Sequence, residues 1–367
     1  MSSRLPPSSR RAALGLSLIE LMIGVAIGLI GVVAIFQAVT VWTKHTQTTS
    51  SGSDAQVAGT IAMFNLERDL KQAGHGFGTA ANTIMGCNVL SNAAGVINMR
   101  PVEIVQGAPV GSSDRINVLL GDSPFFAEGA DFVNSTAATK KLTRRGGFRI
   151  GDVALVAGPV PAGGPISCMF INITDDADVN GWIGHDPALN PALNLAAPPA
   201  FLTGKIYNLG PAPRYDVWSV PNSRTLTRGD RLAAAPAPIP VADGIVSMKA
   251  LYGYDANGNC QIDAAEWVAA LPAVPDWTRV FAVRVAFLVR GRQFERNGDS
   301  ESNVTAAVTP SAANPTYFGG LPFLMTNVDG TPDAFADGDA VPNNWRYYRY
   351  RVYERVMPLR NVVWGQC

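Results

Sequence analysis

Residues 15–42 read GLSLIELMIGVAIGLIGVVAIFQAVTVW, and within that run only Glu20 is charged. A helix rising about 1.5 Å per residue needs roughly 20 apolar residues to cross a hydrocarbon layer, so the run is long enough to span one. Residues 1–15 carry Arg4, Arg10 and Arg11 and no acid. A basic flank on that side puts the N-terminus in the cytoplasm and the bulk of the chain beyond the membrane. A secretory signal peptide would have a shorter apolar core ending at a small-residue cleavage site. A plain single-span anchor fits the length but leaves Glu20 without a purpose. A carboxylate in hydrocarbon is costly unless a cation meets it there.

No proline interrupts the chain between Pro7 and Pro101. Residues 43–73 place Val57, Ile61, Phe64, Leu66 and Leu70 among Asp54, Glu67, Arg68, Asp69 and Lys71, a spacing near 3–4 that predicts a continuing amphipathic helix. Ser50-Ser51-Gly52 marks a break in it, and the glycines of 74–78, with His75 between them, end it. Further on, 116–120, 152–157, 245–252, 279–290 and 345–357 read as strands. Phe281, Val283, Val285, Phe287 and Val289 share one face by period-2 alternation. Pro/Ala/Gly-rich linkers at 157–165, 186–200 and 233–241 separate a middle β/loop region, 79–242, from a C-terminal β region, 243–367. The expected fold class is α+β: one long helix packed on an antiparallel β-sheet, with large loop insertions.

The string Gly15-Leu16-Ser17-Leu18-Ile19-Glu20-Leu21-Met22-Ile23 resembles the class III signal of type IV prepilins and type II secretion pseudopilins. That resemblance implies a leader, 1–15, removed by a prepilin peptidase between Gly15 and Leu16, with methylation of the new N-terminus at Leu16. It implies a helix, 16–42, that sits first in the membrane and then in a filament core, and an amphipathic continuation, 43–78. It also implies that Glu20, fifth in the mature chain, pairs with the N-terminal amine of a neighbouring subunit. Leu16 stands where the family usually has Phe. Residues 64–74, Phe64-Asn-Leu-Glu-Arg-Asp-Leu-Lys-Gln-Ala-Gly74, resemble the PilW family of minor pilins, with weaker matches at 252–255, 279–290 and 352–361. Nothing between about 80 and 240 contributes to the likeness.

The implied function is a non-enzymatic minor pilin, acting in pilus assembly and priming at or near the tip. Its implied partners are the prepilin peptidase, other minor pilins, the major pilin and the inner membrane. Its implied location is the inner membrane with a periplasmic C-terminal domain, then the pilus at the cell surface. The alternatives are a type II secretion pseudopilin and a membrane-tethered periplasmic adhesin or binding protein.

Composition narrows the rest. With 47% hydrophobic and 16% charged residues the chain is not globally disordered. Lys+Arg 29 balance Asp+Glu 29, which argues against nucleic acid as a partner, despite the Arg- and Tyr-rich stretch 345–355. No G-x-S-x-G, P-loop or H-E-x-x-H occurs, and His45, His75 and His185 have no partner motif. Cys87, Cys168, Cys260 and Cys367 lie outside the apolar run, and an oxidising compartment would join them in one of three connectivities. Pairing within each region, Cys87–Cys168 and Cys260–Cys367, is the expectation. No cofactor is required by any of this.

One twelve-residue stretch is a candidate metal site. Residues 255–266 match the calcium-loop pattern D-x-[DN]-x-[DN]-G-x₅-E at its oxygen positions: Asp255, Asn257, Asn259, Gln261 by its carbonyl, Asp263 and Glu266. Hard oxygen donors outside the cytoplasm suit Ca²⁺. Cys260 occupies the position where glycine normally makes the sharp turn. The competing reading is a hairpin connection centred on Asn257-Gly258, with its acids in water.

Overall fold

The computed structural model describes residues 17–90, 97–108, 112–124, 128–136, 138–144, 147–159, 166–175, 180–186, 201–221, 224–233, 237–292, 323, 348 and 350–366. The chain divides into two units, Met1–Ser51 and Gly52–Cys367. Helix α1 (Leu18–Gln72) contributes to both and runs without the break expected at 50–52. Its stretch Leu18–Thr43 is long and apolar enough to cross a membrane, and none of it is buried.

In the second unit α1 turns one face to the core: Ala55, Gly59, Ala62, Leu66, Leu70 and, just after its end, Ala73, at spacings of three and four. Of the apolar pattern, Leu66 and Leu70 lie on this face and the other three residues do not. Val57, Ile61 and Phe64 are 55%, 43% and 64% exposed, whereas Glu67 and Asp69 are buried. Small residues let the helix approach closely; a methyl added at Gly59 would run into the Tyr353 ring. The helix ends as glycine C-cap chemistry predicts, with Gly74 and Gly76 at φ +75° and +89° and the Gly78 N–H donated to the Gly74 carbonyl at 2.6 Å.

The strands that follow are β1 (Asn88–Leu90), β2 (Ile97–Asn98), β3 (Val102–Val105), β4 (Arg115–Leu120), β5 (Ala130–Ser135) and β6 (Thr139–Leu142). Next come β7 (Val153–Pro159), β8 (Ile166–Asp175), β9 (Trp182–His185), β10 (Gly204–Gly210), β11 (Arg214–Ser219) and β12 (Thr225–Asp230). The last are β13 (Ile239–Asp243), β14 (Ile245–Tyr254), β15 (Trp267–Val268), β16 (Val280–Arg290) and β17 (Tyr350–Pro358), before helix α2 (Arg360–Gln366). They form three sheets: β2-β1-β8-β7-β10-β5-β6-β9, β13-β12-β11-β4-β3 and β15-β14-β16-β17.

In the first sheet β9 also pairs with β8, Ile173 opposite His185, so β8-β7-β10-β5-β6-β9 close into a six-stranded barrel. Closure removes the exposed edges that would template aggregation. Its strands serve two cores by alternation. Ala154, Val156, Met169, Ile171 and Ile206 fill the barrel with Phe132, Leu142 and Ile183. Leu155, Ala157, Phe170, Tyr207 and Leu209 join Leu66, Trp218, Val285 and Phe287 in the main core. Burial on both sides explains why β7 reads as an unbroken apolar run.

The expected fold class is therefore corrected. With 42% strand against 24% helix, the protein is mostly β and carries a barrel; it is not a long helix packed on a sheet. In the middle region, 79–242, read as β and loop, the described residues form strands β1 to β12 and part of β13. Strands such as β6 (TKKL) and β9 (WIGH) are four residues long and turn Lys140 and His185 inward, so their period-2 signal is lost.

Candidate functional site

Three places carry chemistry. At the start of α1 the Glu20 Oε2 accepts the Ser17 N–H at 3.3 Å. Ser17 and Glu20 are three residues apart, the spacing of a capping box, so Ser-Leu-Ile-Glu also starts the helix. Gly15 and Leu16 lie outside the described residues.

The second place is the 255–266 loop, which joins the antiparallel pair β14 and β15. Asp255 is 1% and Glu266 7% exposed, unlike the water-facing acids of a simple hairpin connection. The Asp255 Oδ1 accepts the N–H groups of Gly258 at 2.6 Å and Asn259 at 3.1 Å, and its Oδ2 accepts Cys260 N–H at 3.0 Å. The Glu266 Oε1 accepts Ala256 and Asn257 N–H at 2.9 and 3.2 Å, and its Oε2 accepts Asp263 N–H at 2.9 Å. Asn257 and Asn259 accept from Asn259 and Gln261 N–H at 2.9 and 2.8 Å. Cys260 has φ +62°, the left-handed turn the pattern asks of a glycine. The exit is a 3₁₀ turn, Ala264–Glu266, with Asp263 as its N-cap. No group of three or more His, Cys, Asp or Glu among the described residues converges on a metal position.

Cys260 is disulfide-bonded, and Cys367 lies outside the described residues. Cys87 and Cys168 form a disulfide with Cα atoms 5.9 Å apart; it joins the segment before β1 to the barrel strand β8. The parallel register Val89 to Cys168 runs beside it.

The third place is a set of buried charges that sequence reasoning missed. The Glu67 carboxylate meets Lys71 at 2.6 Å and Arg355 of β17 at 2.7 Å. Asp69, 0% exposed, meets Arg214 at 3.3 Å and Arg228 at 3.6 Å. In the barrel, Lys140 Nζ lies 3.0 Å from His185 Nε2 and donates to the Thr136 carbonyl at 3.1 Å. Burial holds the Lys140 ammonium down to about 8 and pushes the His185 imidazole down to about 4, with Lys140 adding to the second effect. In the Arg- and Tyr-rich segment, Arg355 is paired with Glu67, Tyr353 packs against the main core and Arg349 lies outside the described residues. His75 sits in the helix-ending turn, with its Nε2 2.9 Å from the Ser123 carbonyl.

These features describe a protein with, among the described residues, one helix able to cross a membrane, and a disulfide-bonded, mostly β body. The family model described as Type IV Pilus-assembly protein W matches residues 215–361, from β11 into α2, and over them the chain resembles that family. The match associates the chain with type IV pilus assembly. The barrel precedes the matched residues. No curated protein and no solved structure matches the chain.

Proposed function

We propose that the chain is a minor pilin: made with a leader ending at Gly15, cut by a prepilin peptidase, and drawn from the inner membrane into a pilus, where it acts in assembly and priming near the tip. The observation that carries this reading is the match of residues 215–361 to a pilus-assembly family. The membrane-length helix and the prepilin-like string at its start support it. Glu20 pairs with a neighbour's N-terminal amine, exchanging the Ser17 N–H for a cation, which suits a carboxylate in an apolar surrounding. The exposed stripe of Val57, Ile61 and Phe64 gives the helix an apolar face outside its own core. Other minor pilins and the major pilin are its partners, and no catalytic role is assigned.

The test is N-terminal sequencing in cells that contain the peptidase. The wild-type mature chain is expected to begin at Leu16, and Gly15→Val is expected to stay full length, because a bulky side chain blocks the cut. A wild-type chain beginning anywhere else removes the assignment.

A second reading concerns the same body: the 255–266 loop binds Ca²⁺. What favours it is Cys260 at φ +62°, so the one backbone requirement that the sequence appeared to fail is met. Asp255 Oδ2 accepts the Cys260 N–H at 3.0 Å and Glu266 Oε2 the Asp263 N–H at 2.9 Å, and a carboxylate oxygen with one such donor can serve a cation as well. Calorimetry on the full chain in detergent should give a calcium Kd of roughly 10⁻⁵ to 10⁻³ M, with little heat from magnesium. Asp263→Ala should weaken it without disturbing the buried carboxylates. No calcium heat at millimolar concentration, or an unchanged Kd in that variant, counts against the loop as a site.

A further inference from the structure

The Glu-Arg-Asp stretch near the end of α1 leads to an arrangement that pilus assembly does not call for. Asp69 and Asp216 are 0% and 1% exposed, and they meet on one guanidinium nitrogen. Arg214 Nη2 is 3.3 Å from Asp69 Oδ1 and 2.7 Å from Asp216 Oδ2. Arg228 Nη1 reaches Asp69 Oδ2 from β12 at 3.6 Å, and Arg68 of α1 lies 3.4 Å from Asp69 Oδ1. Opposite Asp216 in the β11–β12 register stands another acid, Asp230. On its other side the register partner is Val118 of β4, which brings no charge. Asp69 Oδ2, both oxygens of Asp216 and the Arg214 Nε are buried without a well-formed hydrogen bond. Two buried carboxylates thus compete for one arginine, with a like charge directly across the strand, and neither is fully satisfied.

We propose that these groups form a proton-operated clamp between the end of α1 and the sheet: a protonated Asp216 leaves Arg214 to Asp69, and a deprotonated Asp216 draws Arg214 away. The clamp is tight on the acid side and loosens as the medium passes neutrality. Burial, reinforced by Asp69 and Asp230 and opposed by Arg214 and Arg228, pushes the Asp216 carboxyl up to about 7. An acid raised in the folded state binds its proton more tightly there than in the unfolded chain, whose Asp titrates near the ordinary value of 3.8. Stability is therefore lost as pH rises from about 4 through about 7, the same direction as the loosening. The inference stands on the charges of the second unit alone and does not depend on assembly into a filament.

Amide hydrogen exchange on the full chain in detergent, corrected for the intrinsic effect of pH, reads the clamp directly. Between pH 5.5 and 8.5, protection of residues 62–72 should fall by about tenfold or more, the factor that one pKa unit represents. Protection of β16 should fall less, by no more than the loss of overall stability. Asp216→Asn, nearly the same shape and unable to ionise, should keep residues 62–72 protected at both pH values. Asp230→Asn removes one repulsion and should move the fall to lower pH. Flat protection in the wild type, an equal fall in Asp216→Asn, an equal fall in β16, or an unmoved fall in Asp230→Asn would each overturn the proposal.

Discussion

Replacing Cys87 and Cys168 together by alanine is expected to lower the free energy of unfolding by about 4 kcal/mol. The two residues are 81 apart in sequence, and cross-linking a loop of that length removes much of the freedom of the unfolded chain. Cys168 is fully buried on β8, so the change also leaves a small gap beside the main core. Domains are stable by only about 5–15 kcal/mol, so the loss is a large share of the total. The check is the urea midpoint of the full chain in detergent, for the double variant and for the wild type with and without reductant. A double variant within about 0.5 kcal/mol of the wild type would mean that the barrel needs no covalent tie, since that is the scatter of a neutral surface change.

Lys140→Met is expected to act in the opposite direction, stabilising the chain at pH 7 by about 2 kcal/mol. The Lys140 ammonium titrates at about 8 in the fold and near 10.5 when unfolded, because burial penalises the charge. Between those values the unfolded chain binds more protons, so stability rises with pH there and the full penalty is present below 8. That penalty is on the order of 3 kcal/mol, offset in part by the lost bonds to the Thr136 carbonyl and His185, about 1 kcal/mol in net terms. His185 follows the same sign lower down: held to about 4, it makes stability rise from pH 4 to about 6.5. Urea midpoints from pH 7 to 10.5 should show Lys140→Met ahead at pH 7 and the gap closing toward pH 10.5. A variant that is less stable at pH 7, or a gap that does not change with pH, would refute this account.

The parts of the fold legible in the sequence are those whose signal is local and dense. β16, VFAVRVAFLVR, announces itself, as do the membrane-length run and the glycine end of α1. The barrel does not, because its short strands carry polar inward residues and its closing pair joins β8 to β9 only through register. The face of α1 was partly misread for a related reason. Glu67 and Asp69 look like surface residues until Arg214, Arg228 and Arg355 arrive from far along the chain. The small residues Ala55, Gly59, Ala62 and Ala73 were the better guide, since close approach needs small side chains. In the 255–266 loop the oxygen pattern was legible. The turn at Cys260 was not, because its φ is set by the N–H groups gathered around Asp255.

The barrel leaves and rejoins the second sheet at a single point. Leu120 closes β4, Arg214 opens β11, and the two are register partners. Residues 121–213 are thus an excursion whose two ends are held side by side by neighbouring strands. Lengthening or redecorating a turn at the far end of such an excursion costs little, because closure entropy grows only slowly with the length of a loop. The sheet that starts the family-like region keeps its register whatever the excursion carries at its far turns. Mutation can rework that outer ground, generation after generation, on a foundation that stays fixed.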